Sequence, residues 1–341
     1  MKILITGMNK QQCTENFYKT SQLKVMPSHV SLIACLRDMG HEVEQRIVTI
    51  GEDLSSYDRV ICYIHNPSGF AGFVYNALWL LGTRQDNVIL AFDDWQTNSI
   101  YKGLMALQED GKMFRQFVKD SHKHVPEDVE QYEHIFNKGL SAIASKKHPM
   151  LISAFAGGDL GLLIDYPSEL LFPFNPNPYH INLQANFNPM FDEKQKVFNY
   201  AGLIQDKTKK WIKEQNIGDW ELKKYGSRKD GQDRVIEPEM VNIYGQQWGV
   251  LMPGYFHAGS GWWRARPLQV ADAGSILIGD WKEMVLYYDD DELASLKAHE
   301  ITMMSDKQLE DVAEAQKRAI YTTHPLDESI EQEELRKVLY A

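Results

Sequence analysis

The chain opens on a short apolar run, Met1 to Gly7, that reads as a buried parallel strand. Asn9 to Lys24 is polar without a clean period and reads as a loop, and Pro27-Ser28-His29 marks a helix start. Leu32, Cys35, Leu36 and Met39 fall at i, i+3, i+4 and i+7, one apolar helix face closed by Gly40. His41 to Ile50 then reads as a second strand, and strand, helix, strand in this order begins a doubly wound sheet. The pattern repeats with a strand at Asp58 to Ile64, a flexible turn at Gly69-Phe70-Ala71-Gly72, and a helix from Phe73 to Leu81. Asn87 to Phe92 is a further buried strand, which delivers Asp93-Asp94-Trp95 to its carboxyl end. In open parallel sheets that end faces the ligand crevice.

Residues 99–148 are polar and helix-rich, longer than a plain connection between strands. Pro149 to Phe155 and Glu169 to Phe174 return to strand-like composition. Asn175-Pro176-Asn177-Pro178-Tyr179, two prolines spaced by asparagines, is too stiff for a sheet interior and predicts a domain boundary, giving domains 1–182 and 183–324. The second domain begins with a strand at Lys196 to Tyr200, a turn at Ala201-Gly202, and a helix carrying Lys207, Lys209, Lys210 and Lys213. Trp220 to Tyr225 leads to Gly226-Ser227-Arg228, and a strand at Ser275 to Gly279 follows later. Asp289 to Glu292 reads as a solvated turn, Asp306 to Ile320 as a helix, and the stretch after Pro325 as an acidic helix that joins the first domain.

Composition fits this picture: 341 residues with 43% hydrophobic content bury a sizeable core, and two domains suit the length. No apolar run reaches the roughly 18 residues a membrane span needs, and the first residues do not form a signal peptide. Cys13, Cys35 and Cys62 are odd in number and lack CxxC spacing, which points to reduced thiols and a cytoplasmic location, without zinc. The net charge of -11 argues against a polyanion as partner. Residues 282–341 account for -8 of it, with 7 Lys+Arg against 15 Asp+Glu, so a local basic face elsewhere stays open.

Three stretches can carry chemistry. Gly259-Ser260-Gly261, followed by Arg264, Arg266 and Gln269, reads as a loop whose amides cradle a phosphate ahead of a helix start, with two guanidinium groups adding charge. An ordinary loop with surface arginines accounts for the same residues. Asp93 or Asp94 at a strand end suits a general base, a metal ligand or a plain turn aspartate. The 99–148 segment carries 8 Lys+Arg against 7 acids and reads as a solvated helical hairpin, a cover for a site mouth, or a polyanion contact. His122-Lys123-His124 lacks the spacing of a metal pair.

Taken in order, these features resemble the phage DNA β-glucosyltransferases of the T-even type. Met1-Lys2-Ile3 with Met39-Gly40, and Tyr57 to Ile61 followed by Gly69 to Gly72, are similar to that family's first units. Phe92-Asp93-Asp94 resembles the strand end bearing its catalytic base, and Arg266 to Gln269 followed by Ala273 to Ile278 resembles its Arg-x-x-Glu helix and strand. The resemblance runs nearly end to end, apart from residues 99–148.

It implies a GT-B glycosyltransferase, an α/β architecture of two Rossmann-like doubly wound domains facing a cleft, the first taking the acceptor and the second a UDP-sugar. Asp94 is then the base of an inverting displacement onto 5-hydroxymethylcytosine in duplex DNA. Gly202, Lys207, Lys209, Ser227, Arg228, Gly259, Ser260, Gly261, Arg264, Arg266 and Gln269 are the expected donor set. Asp93, Trp95, Lys112, Arg115, Lys119, Lys123, Lys146 and Lys147 are the expected acceptor and DNA set, and Ser28 and His29 lie where the family contacts the sugar. The chain departs from the pattern at Gln269, where the family has glutamate, at Ser28-His29, where it has an acid, and after Tyr200, where lysines replace arginines. These departures leave glucose and a pentose such as arabinose both open. The expectation is a monomer with no obligatory metal, Mg acting at most as an activator. A UDP-sugar transferase for a small molecule, lipid or glycan, and an inert nucleotide- or DNA-binding protein on the same scaffold, are the rival readings.

Overall fold

A computed structural model describes residues 1–7, 27–64, 70–92, 97–120, 129–155, 157–175, 191–202, 206–225, 237–254, 258–262, 264, 266–325 and 327–340. In chain order the elements are β1 (Lys2–Thr6), α1 (Pro27–Asp38), β2 (Glu42–Gln45), β3 (Arg59–Tyr63), α2 (Phe70–Arg84), β4 (Val88–Phe92), α3 (Thr97–Glu109), α4 (Gly111–Asp120), α5 (Val129–Ala144), β5 (Met150–Ser153) and β6 (Leu171–Phe174). They continue with β7 (Gln195–Ala201), α6 (Asp206–Glu214), β8 (Glu221–Tyr225), α7 (Glu237–Gln246), β9 (Gln247–Met252), α8 (Arg266–Asp272), β10 (Ile276–Gly279), α9 (Trp281–Tyr288), α10 (Asp291–Ser295), α11 (Ala298–Thr302), α12 (Asp306–Thr323) and α13 (Glu328–Tyr340). The contacts divide the chain into one unit of Met1–Lys19, Val25–Tyr179 and Asp327–Ala341, and a second of Thr20–Lys24 and His180–Leu326.

Unit 1 is a six-stranded sheet of order β2-β1-β3-β4-β5-β6, parallel throughout. Its central strands are buried along nearly their whole length, because helices cover both faces, and this is why they read as unbroken apolar runs. One face packs α1 and α13 over Ile3, Ile5, Ile61 and Phe174, so Leu335, Val338 and Leu339 of the terminal helix belong to this core. The helices of residues 99–148 do not form a solvated hairpin. α5 lies against α2 so closely that a Cβ at Gly139 would meet the Leu78 carbonyl oxygen at 2.0 Å, and one at Gly82 the Ile135 carbonyl oxygen at 2.2 Å. Only glycine permits that approach. Phe114 and Val118 of α4 are buried beside it, with Phe117 between Tyr75 and Phe136.

Unit 2 is a four-stranded parallel sheet of order β10-β9-β7-β8. Of its two central strands, β9 goes unread in the sequence because α7 runs directly into it at Gln246-Gln247 without a connecting loop, and Gly249 interrupts its apolar run. The edge strand β10 is closed by a side chain: the Gln316 amide of α12 donates to the Leu277 carbonyl at 3.0 Å and accepts the Leu277 N–H at 2.9 Å. Lys194, just ahead of β7, donates to the Gly245 and Ala273 carbonyls at 2.8 and 3.0 Å and to Ser275 Oγ at 2.9 Å. That ammonium anchors the ends of α7 and α8, where helix carbonyls lack partners of their own.

Candidate functional site

In each unit the parallel strands end on one edge, and the residues of interest in unit 2 gather at the ends of β7, β9 and β10. Gly259 and Gly261 take φ of +90° and +77°, left-handed values that favour glycine, and they flank Ser260, which is 1% exposed. Ser260 Oγ accepts the Trp262 N–H at 3.1 Å, fixing the turn. The seven-residue helix α8 follows, with Pro267 in its first turn, where a missing N–H costs nothing. Pro267 to Ala271 are all buried, so Arg266 stands half-buried at the head of an otherwise enclosed helix.

The two arginines have different surroundings. Arg264 Nη1 donates to both carboxylate oxygens of Glu283, at 2.8 and 3.0 Å, and the two side chains are only 10% and 6% exposed. Its guanidinium also lies 5.9 Å from the centre of the Trp262 ring. Arg266 has no carboxylate partner among the described residues. Both arginines are expected at a phosphate, and the structure gives Arg264 a buried carboxylate as a partner. Sequence reasoning passed over Glu283, although its signal is legible: it shares the buried face of α9 with Met284, Tyr287 and Tyr288, and a charge on an apolar face needs a partner.

Gln269 is 4% exposed, one turn along α8 from Arg266. Gly202 follows β7 with φ +145°, and its N–H bonds the Tyr225 carbonyl at 2.8 Å, which closes the ends of β7 and β8 together. Lys207 is exposed in the first turn of α6, whereas Lys209 reaches Asp206 at 3.3 Å. Ser227 and Arg228 lie outside the described residues, as do Asp93, Asp94, Trp95 and Lys123. Ser28 and His29 belong to the first turn of α1, and their side chains lie outside the description. β4 ends at Phe92, immediately before the two aspartates.

In unit 1, Lys112, Arg115 and Lys119 fall at i, i+3 and i+7 on the exposed side of α4, with Phe114 and Val118 buried opposite. Lys146 and Lys147 belong to a different part of the unit. They stand between α5 and β5, ahead of a strand parallel to β4, which places them at the amino-terminal edge of the sheet. Lys146 moreover pairs with Asp165 at 3.3 Å. His148 beside them is buried, and burial lowers its pKa to about 4, so it stays neutral near pH 7. Among the described residues no three His, Cys, Asp or Glu side chains converge to hold a metal, and no helix is long and apolar enough to cross a membrane.

Two parallel α/β units of this kind are the GT-B architecture, matched along the whole chain by phage glucosyltransferase structures. The chain is similar to T4 phage β-glucosyltransferase solved with UDP and Mn2+, at a TM-score of 0.60 and 13% identity, covering 100% of both chains. A structure of the DNA modifying enzyme β-glucosyltransferase, with and without uridine diphosphoglucose, matches at a TM-score of 0.60 and 13% identity, again over 100% of both chains. A third, of the T4 phage enzyme, gives 0.59 and 12% over the same full lengths. No protein-family model and no curated protein matches the sequence.

Proposed function

We propose that the protein is an inverting glycosyltransferase that moves a sugar from a UDP-sugar to the hydroxymethyl group of 5-hydroxymethylcytosine in duplex DNA. The observation that carries this reading is the likeness over 100% of both chains to a DNA modifying β-glucosyltransferase. The half-buried Arg266 behind the two-glycine turn supports it, being a cation held ready for a diphosphate. In the reaction, Asp94 takes the proton of the hydroxymethyl group as its oxygen attacks the anomeric carbon, and the bond from that carbon to the diphosphate breaks. UDP leaves with the electron pair, stabilised by Arg266, Lys207 and the amides of Gly259 to Gly261. These cations supply the field that a metal supplies elsewhere, so a divalent ion is an activator in this reading. The modified base must leave the stack to be reached, and the Lys112, Arg115 and Lys119 face of α4 is the proposed contact to the DNA backbone.

Gln269 in place of a glutamate, and Ser28-His29 in place of an acid, leave the sugar as glucose or a pentose such as arabinose. Incubation of hydroxymethylated and unmodified duplex with a panel of UDP-sugars, followed by mass spectrometry of the nucleosides, tests the reading. The expected result is a sugar increment on the hydroxymethylated base alone. No increment with any donor, alongside transfer to a small acceptor, would establish the rival that the net charge of -11 favours.

A further inference from the structure

Among the described residues the Arg264–Glu283 pair is the ion pair withdrawn from water, and the others lie on the surface. Taking two charges out of water is expensive, and an apolar pair of the same volume would hold the same elements together as well or better. The pair adds what an apolar contact cannot, a charge-assisted anchor in which one guanidinium nitrogen meets both carboxylate oxygens. One turn further along α9, on the same face, stands the buried Tyr287. Arg264 is therefore held by its side chain against this helix. Two residues before it stands Trp262, whose N–H closes the turn onto Ser260 Oγ, and two residues after it stands Arg266.

We infer that Glu283 is a positioning residue for diphosphate recognition: through Arg264 it sets the backbone of the Gly259–Trp262 turn and the head of α8, and it touches no ligand itself. The inference rests on the donor reading above and adds to it a residue outside the proposed contacts. Arg264 is then a strut, and Arg266 alone of the two arginines meets the diphosphate. A rigid support of this kind is what a binding group needs to keep its geometry before the ligand arrives.

Titration calorimetry with UDP and with uridine, which lacks the phosphates, tests this. In Glu283→Gln, UDP affinity is expected to fall about tenfold, the scale of one charge-assisted hydrogen bond, with uridine affinity unchanged. The opposite sign marks the rival: if Arg264 itself grips the diphosphate, Glu283 competes for it, and the same substitution tightens UDP. Unchanged or tighter UDP binding would overturn the inference and leave the donor reading standing. Equal losses for UDP and uridine would overturn it as well, because the pair would then only hold the unit together. Absence of UDP binding by the unmutated protein would overturn the donor reading and the inference together. Should Glu283→Gln fail to fold, Glu283→Asp keeps the charge and shortens the reach of the carboxylate, and the same comparison of UDP with uridine decides.

Discussion

Glu331 gives unit 1 a pH dependence that one substitution can remove. It lies on α13, is 5% exposed, and accepts the Asn175 N–H at 2.7 Å where the chain leaves β6. Burial, with Glu334 adding repulsion, pushes its pKa from 4.5 up to about 8. Below about pH 4.5 the carboxyl is protonated in folded and unfolded chains alike, and its contribution to stability is fully present. As pH rises toward about 8 the unfolded chain sheds the proton first, so stability falls, by about 1.4 kcal/mol per unit. Between about pH 5 and 8 the loss amounts to about 4 kcal/mol. Glu331→Gln keeps an oxygen for the Asn175 N–H and cannot ionise. It is expected to match the unmutated protein near pH 5 and to exceed it by about 4 kcal/mol near pH 8. Urea titrations read by hydrogen exchange in β6 and α13 isolate this unit. Equal pH slopes in the two proteins would refute the reasoning, because they would mean that Glu331 ionises in the folded chain as it does in the unfolded one.

Asp94→Ala is expected to leave UDP affinity intact and to lower transfer by at least about 100-fold, while loss of transfer in Asp93→Ala alone would move the base by one residue. Arg266→Ala should weaken UDP and UDP-sugar equally in calorimetry, since both carry the diphosphate, and unchanged affinity would shift the phosphate contact toward Lys207. Affinity for duplex should fall steeply between about 50 and 200 mM salt, and reversing Lys112, Arg115 and Lys119 together should flatten that slope while sparing UDP. A flat response in the unmutated protein would remove DNA from the reading.

The fold was legible wherever burial leaves a periodic trace. β1, β3, β4 and β5 read as strands because helices cover both faces of the sheet and every position must be apolar. The face of α1 was equally plain, since Leu32, Cys35 and Leu36 repeat at helical spacing. β9 left no such trace because it follows α7 without a connecting loop and carries Gly249 within it, and the short apolar run that remains is ambiguous between helix and strand. The packing of α5 on α2 was hidden for another reason. It depends on the absence of side chains at Gly82 and Gly139, and a glycine inside a helix reads as a weakness until its opposite number is known.

The site was legible as a list of residue types but not as a division of labour. Gly259, Ser260 and Gly261 read as a phosphate-cradling loop, of which the local part, a turn built on two positive-φ glycines, is present in the structure. Arg264 and Arg266 look alike in sequence, two residues apart with the same charge, yet one meets a buried carboxylate and the other does not. What separates them is Glu283, 19 residues further on, brought back by the crossover from α8 through β10 to α9. Lys146 and Lys147 pose the same kind of problem: their charge is visible in the sequence, whereas the edge of the sheet they occupy is set by the direction of β5. A charge earns a functional reading only when its nearest opposite charge is known, and for Arg264 that neighbour, Glu283, is the ground for proposing it as a support of Arg266 rather than as a ligand contact.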